Sequence, residues 1–305
     1  MLRDGTTSKR HAAPRKSRSF NGTKSILTGT IAVALIASVG IVAMKYVGRS
    51  PTHPPAPLPV TQATVTQPSS FTPPKDWTVK FASNFQGSQL DTSVWGTCYP
   101  WAGPGGCTNF GNVKDKELEW YLPDQIQVSG GELHLIAQNE PTSGLNKQGG
   151  SQEYACRSGM VTTFPGFQFQ YGYIQITAMI PFSKGLWPAI WLAAANEKWP
   201  PEVDILEHWA SKSDAGMYLH PSSGKKQGGH VILPNLGAGW HTFGLYWTKT
   251  RLVWYYDGQQ ILATSTDVPQ QPMYLIANLA DDVAGAGTCS GTMRIKSVKV
   301  WQPPS

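Results

Sequence analysis

The chain has 305 residues, among them 31 Gly, 24 Pro, 12 Trp, 11 Tyr and 10 Phe, and only 14% are charged. Ordinary soluble domains carry roughly 25% charged residues, so a coiled coil, a helical bundle and a charged disordered chain are excluded. The net charge of +6 is not spread evenly: residues 1–49 hold nine Lys and Arg against Asp4 alone, a net of +8, which leaves −2 for the rest. The basic character therefore belongs to the N-terminus, and nucleic acid is not an expected partner.

In chain order, residues 1–24 read as a basic cytoplasmic tail. Ser25 to Met44 is an uncharged run of 20 residues, SILTGTIAVALIASVGIVAM, and a helix of that length spans about 30 Å, the thickness of a bilayer's hydrocarbon core. Seven Lys and Arg precede it, which predicts that the tail stays inside and the rest is exported. Residues 25–47 are thus expected to be a single-pass signal anchor in the cell membrane with the remainder extracellular. If the segment is instead cleaved as a signal peptide, the remainder is secreted. Residues 48–75 are rich in Pro and Thr, with eight prolines between Ser50 and Lys75, and read as an extended stalk. Residues 76–305 are left as one folded domain, expected to be a monomer.

Within that domain the spacing is that of strands. Leu133, Leu135 and Ala137 alternate, as do Ile174, Ile176, Ala178 and Ile180. Two β-rich runs flank Asp257-Gly258, a pair suited to a two-residue type I′ turn. No segment past the stalk has convincing helical periodicity. Many short strands in one domain predict an all-β sandwich or jelly roll of two antiparallel sheets. Trp247 and Trp254 are expected in the core. Trp187, Trp191, Trp199 and Trp209 crowd around one acidic motif, where they suit equally a sandwich core and its edges or a groove in which flat rings stack on sugars. Cys98, Cys107, Cys156 and Cys289 are even in number and lie beyond the membrane segment, which predicts disulfides. Three pairings are open; Cys98 with Cys107 would close a short Gly-rich loop and leave Cys156 with Cys289 as a long-range staple. No metal site is expected from them, since no CxxC pair is present.

The motif is KWPPEVDILEHWA, residues 198–210. On a strand, Glu202 and Asp204 share a face, while Val203 and Ile205 turn inward. Glu207 falls on the wrong face unless a β-bulge at Ile205-Leu206 absorbs one residue. Three carboxylates on one stripe raise one another's pKa. Retaining glycoside hydrolysis uses such a pair, one carboxyl ionised and one protonated. A solvated acidic face or a calcium site is the competing reading, which the apolar and aromatic flanks disfavour.

These residues resemble glycoside hydrolase family 16, the laminarinase-like branch of the concanavalin-type jelly rolls. The resemblance rests on GLWPAIWL (185–192), EVDILE (202–207), WHTFGLYWT (240–248) and PMYLIANLA (272–280), supported by KELEWY (116–121), SGMVTT (158–163) and TMRIKSVKVWQ (292–302). It implies a concave substrate cleft with Glu202 as nucleophile, Asp204 as assisting carboxylate and Glu207 as general acid/base. Trp187 and Trp191 match groove-lining aromatics, and His208 matches the His that follows the acid/base. With Trp209 and Glu117 they form the expected sugar-binding set. The resemblance requires no cofactor and allows a structural calcium on the outer face. The polysaccharide it points to is a β-1,3-glucan or a mixed β-1,3-1,4-glucan, cleaved endo. The chain departs from the pattern at Lys116, where many relatives have Asn, at Tyr173, Gln175 and Thr177, and in DDVAGAGTCSG (281–291), which lacks the usual Trp. That loop keeps a galactan hydrolase or a transglycosylase in view, and a non-catalytic glycan-binding jelly roll is the alternative outside enzymes.

Overall fold

Alternation of buried and exposed side chains marks strands with one face on a core. It is clear over Glu132–Ala137 and Gln227–Ile232 of the computed structural model, which describes residues 71–102, 107, 117–145, 149–209, 214–282 and 289–304. The strands are β1 (Thr78–Ser83), β2 (Glu119–Tyr121), β3 (Ile126–Ser129), β4 (Glu132–Ala137), β5 (Thr142–Leu145) and β6 (Ser151–Tyr154). There follow β7 (Cys156–Ser158), β8 (Met160–Thr162), β9 (Gly172–Met179), β10 (Leu186–Ala194), β11 (Glu202–Glu207) and β12 (Asp214–His220). The last six are β13 (Gln227–Ile232), β14 (His241–Trp247), β15 (Leu252–Tyr256), β16 (Gln259–Thr264), β17 (Met273–Asp281) and β18 (Gly291–Gln302). The helical content among the described residues is one 3-10 turn, Pro123–Gln125.

Two antiparallel sheets form a jelly-roll sandwich. The larger runs β16-β15-β14-β9-β18-β4-β3, with β1 also on β18; the smaller runs β13-β12-β11-β10-β17-β8. Between them lie the inward residues that the alternation predicts, among them Leu133, Leu135, Ile174, Ile176, Trp247 and Trp254. Asp257 and Gly258 have φ of 48° and 76°. Both are in the left-handed region that a type I′ turn needs, and Tyr256 faces Gln259 directly across the turn. The expected disulfides form, and of the three open pairings the structure has Cys98–Cys107 with Cys156–Cys289.

The cytoplasmic tail, the expected membrane span and the stalk up to residue 70 lie outside the described residues. Among the described residues no helix is long and apolar enough to cross a membrane. The end of the expected stalk already packs on the domain. Phe71 donates its N–H to Gly258 O at 2.7 Å, and its ring lies 4.2 Å from that of Tyr173 and 4.9 Å from that of Tyr255. Folded contacts thus begin ahead of residue 76, because an aromatic side chain at 71 covers aromatic rings on the outer face of the larger sheet.

Candidate active site

On the second face of the smaller sheet, β17 is buried under a cluster that includes Tyr99, Tyr121 and Tyr274, and β11 sets what stands beside it. In the ladder with β10, Ile190 faces Leu206 but Trp191 faces Asp204, so Ile205 is the extra residue of a bulge. Against β12 the same bulge appears between Asp204↔Tyr218 and Glu207↔Gly216. Val203, Ile205 and Leu206 are all within 1% exposure and belong to the core. Glu202, Asp204 and Glu207 consequently share the open face. The backbone kink is held from behind: Trp254 of the larger sheet donates its indole N–H to Asp204 O at 2.8 Å.

Each carboxylate has its own partners. Trp199 Nε1 donates to Glu202 Oε2 at 3.0 Å, and Trp187 Nε1 donates to Glu207 Oε1 at 3.2 Å. His220 Nε2 lies 3.4 Å from Glu202 Oε1 and 3.4 Å from Asp204 Oδ2. Burial, joined by the charge of Asp204, pushes the Glu202 carboxyl up to about 8. Asp204 is raised well above its ordinary value by burial and by Glu207. Burial raises Glu207 as well, opposed by Lys226, His220 and the Trp187 hydrogen bond. The three titrate together, and the cluster retains protons near neutral pH that isolated carboxylates would have lost.

Aromatic side chains extend the open face on both sides of this cluster. Trp187 stacks on Trp209 at 5.3 Å, and Trp209 also meets the His230 ring at 5.5 Å. Trp199 is 67% exposed beside Glu202, a flat apolar surface available to a sugar ring. Trp191 donates to Asn278 Oδ1 at 2.8 Å, and Asn278 donates in turn to Tyr121 OH at 3.0 Å. Trp101 and Tyr99, stacked at 4.6 Å, lie near the Trp191 ring. Glu117 forms an isolated bridge with Asp282.

The expectation that His208 touches sugar gives way to a different placement. The residue is fully buried, with Nδ1 3.2 Å from Asp214 O and its ring 4.5 Å from that of Phe182. Alternation explains this: Glu207 takes the open face, so the next side chain turns inward. Burial also lowers its pKa, which favours a neutral imidazole that packs rather than binds.

His220, Tyr218, Lys226 and Asn278 are the site residues that sequence reading missed. They come from neighbouring strands and loops, and only the pairing register brings them to the carboxylates. Among the described residues, two groups of acidic, His and Cys atoms lie close enough to share an ion. One contains the Cys156–Cys289 bridge; the other is Glu202, Asp204 and His220. Neither group supplies by its own side chains the six to eight oxygens of calcium.

Residues 114–296 match the family described as Glycosyl hydrolases family 16. The chain belongs to glycosyl hydrolase family 16. It is 31% identical over 239 residues to the endo-1,3-1,4-beta-glycanase EglC of Rhizobium meliloti (strain 1021), covering 73% of this chain and 50% of that protein. It is 28% identical over 201 residues to a beta-glucanase of Rhodothermus marinus, covering 56% of this chain and 66% of that protein. The catalytic domain of an endo-1,3-beta-glucanase (laminarinase) from Thermotoga petrophila RKU-1 superposes with a TM-score of 0.64 at 25% identity, covering 75% of this chain and 99% of that one. The chain spans about half the length of the first two curated relatives it matches, 50% and 51%.

Proposed function

We propose that this family 16 chain is a retaining, endo-acting glycoside hydrolase of β-1,3-glucan or mixed β-1,3-1,4-glucan. The observation that carries the reading is the bulge at Ile205, which puts Glu202, Asp204 and Glu207 on one face beside the exposed Trp199 and the half-buried Trp187 and Trp209. The names of the glucanase relatives support the substrate class.

In the first step, ionised Glu202 attacks the anomeric carbon while protonated Glu207 gives its proton to the leaving oxygen. In the second, Glu207 takes a proton from water, which displaces Glu202 from the glycosyl-enzyme. Burial suits Glu207 to hold its proton near neutrality. Glu202 must be ionised to attack, and burial together with the charge of Asp204 works against that form. His220 and the Trp199 N–H both favour the anion, and a proton kept on Asp204 frees Glu202 to carry the charge. Trp199, Trp187 and Trp209 supply stacking surfaces for the glucan. The N-terminal segment would hold the domain on the outer side of the cell membrane, or release it if cleaved.

The test is the anomeric configuration of the first product, followed by proton NMR during hydrolysis of a short β-1,3-glucan. The β-anomer should appear first and mutarotate later. Initial formation of the α-anomer would contradict the double displacement.

A further inference from the structure

Glu202, Asp204 and His220 face one another across paired strands, Glu202 standing opposite His220 in the β11–β12 register. One side-chain atom from each lies within 4.8 Å of the others. Asp204 is only 2% exposed, and its Oδ2, although 3.4 Å from His220 Nε2, accepts no hydrogen bond. A buried carboxylate oxygen without a donor is costly, and this one lies in the space that His220 and Glu202 border.

A tetrahedral ion with bonds of about 2.0–2.1 Å holds its ligands about 3.3–3.4 Å apart. The imidazole nitrogen stands 3.4 Å from both oxygens. We propose that Glu202 Oε1, Asp204 Oδ2 and His220 Nε2 form a transition-metal site that takes Zn²⁺, with water in the fourth position on the open face. One nitrogen and two carboxylates suit zinc or cobalt, whereas calcium requires more oxygens and magnesium an octahedral shell. Trp199 occupies Glu202 Oε2, which leaves Oε1 for the ion and fixes the carboxylate's orientation. Lys226 acts on Asp204 with a like charge to the ion and limits the affinity. A bound ion blocks the Oε1 lone pair of Glu202, so zinc acts as a reversible inhibitor. That last consequence rests on the hydrolase reading; the binding itself does not.

The experiment is a titration of the untagged full-length chain with Co²⁺, read by the visible bands of four-coordinate cobalt. The signal should saturate at one ion per chain, discharge on adding Zn²⁺ and ignore excess Ca²⁺. Binding should weaken by at least about tenfold in His220→Gln and in Glu202→Gln. It should persist in His230→Gln, whose imidazole pairs with Asp214 at 3.0 Å instead. Absence of a stoichiometric cobalt band in the wild type, or unchanged binding in both ligand variants, would overturn the site. In a glucan assay, zinc should raise the apparent KM and a chelator should reverse the effect. A chain that binds one cobalt but cleaves no glucan overturns the hydrolase reading and leaves the metal site standing; cleavage without any cobalt band does the reverse.

Discussion

Glu207 is governed by groups that its own strand does not contain. Trp187 of β10 donates to it, Gly216 of β12 faces it, and Lys226 acts on it by charge. The ammonium of Lys226 lies 3.5 Å from the centroid of the Tyr218 ring, and Tyr218 stands opposite Asp204. Lys226 holds Glu207 lower than burial alone would. Replacing it by Met removes that charge, so Glu207 should keep its proton to higher pH. The alkaline limb of kcat/KM should move upward by about half a pH unit, a modest effect because water and salt screen an exposed charge. A downward move would show that Lys226 does not act on the acid. Residue identity was legible for the carboxylates and not for these controllers. Nothing local ties His220 or Lys226 to residues 202–207, and their place follows from how β12 and the turn after it lie against β11. His208 is the opposite case: it was expected at the sugar, but it follows Glu207 on the chain, takes the other face and is buried.

The bulge in β11 was legible because the sequence contains its cause. Five residues separate Glu202 from Glu207, and two adjacent apolar residues, Ile205 and Leu206, both require the core. Only an extra residue in the strand reconciles the two demands. The anchor behind it was not legible, since Trp254 reads as an ordinary core aromatic. Its indole N–H crosses the sandwich to Asp204 O, taking a buried carbonyl at the bulge. Trp254→Phe should leave that carbonyl without a partner and cost about 2 kcal/mol or more. Activity should fall by a larger factor than the loss of stability explains, because Asp204 loses its fixed position. Full activity in a folded but destabilised variant would mean that the bulge holds its shape unaided. The Asp257-Gly258 hairpin was equally legible, its turn residues being those that tolerate positive φ.

At the scale of the whole molecule, the domain buries acids that prefer to be neutral. Glu202 is pushed up to about 8, Glu119 to about 7 and Asp281 to about 6, burial being the first cause in each case. A carboxyl whose folded pKa is raised binds protons more tightly when folded. Its contribution is complete below the unfolded value near 4 and is lost as pH rises through the folded value. Stability should therefore decline between about pH 5 and pH 8, at roughly 2–4 °C of Tm per kcal/mol for a domain of this size. Glu202→Gln should flatten the decline and raise Tm at pH 8; a slope unchanged by that substitution would place the effect elsewhere. The two-sheet architecture was legible in the low charge, the alternation and the turn chemistry. Sheet order was not, because β1, β4 and β9 all pair with β18 at the far end of the chain. The most direct test of the central claim is reducing-end release by the full-length chain from laminarin and mixed-linkage glucan, with Glu202→Gln and Glu207→Gln measured beside it. Release by the wild type that falls by at least about a thousandfold in each folded variant is the predicted result. Near-wild-type release by either variant, or none by the wild type on either glucan, would contradict it.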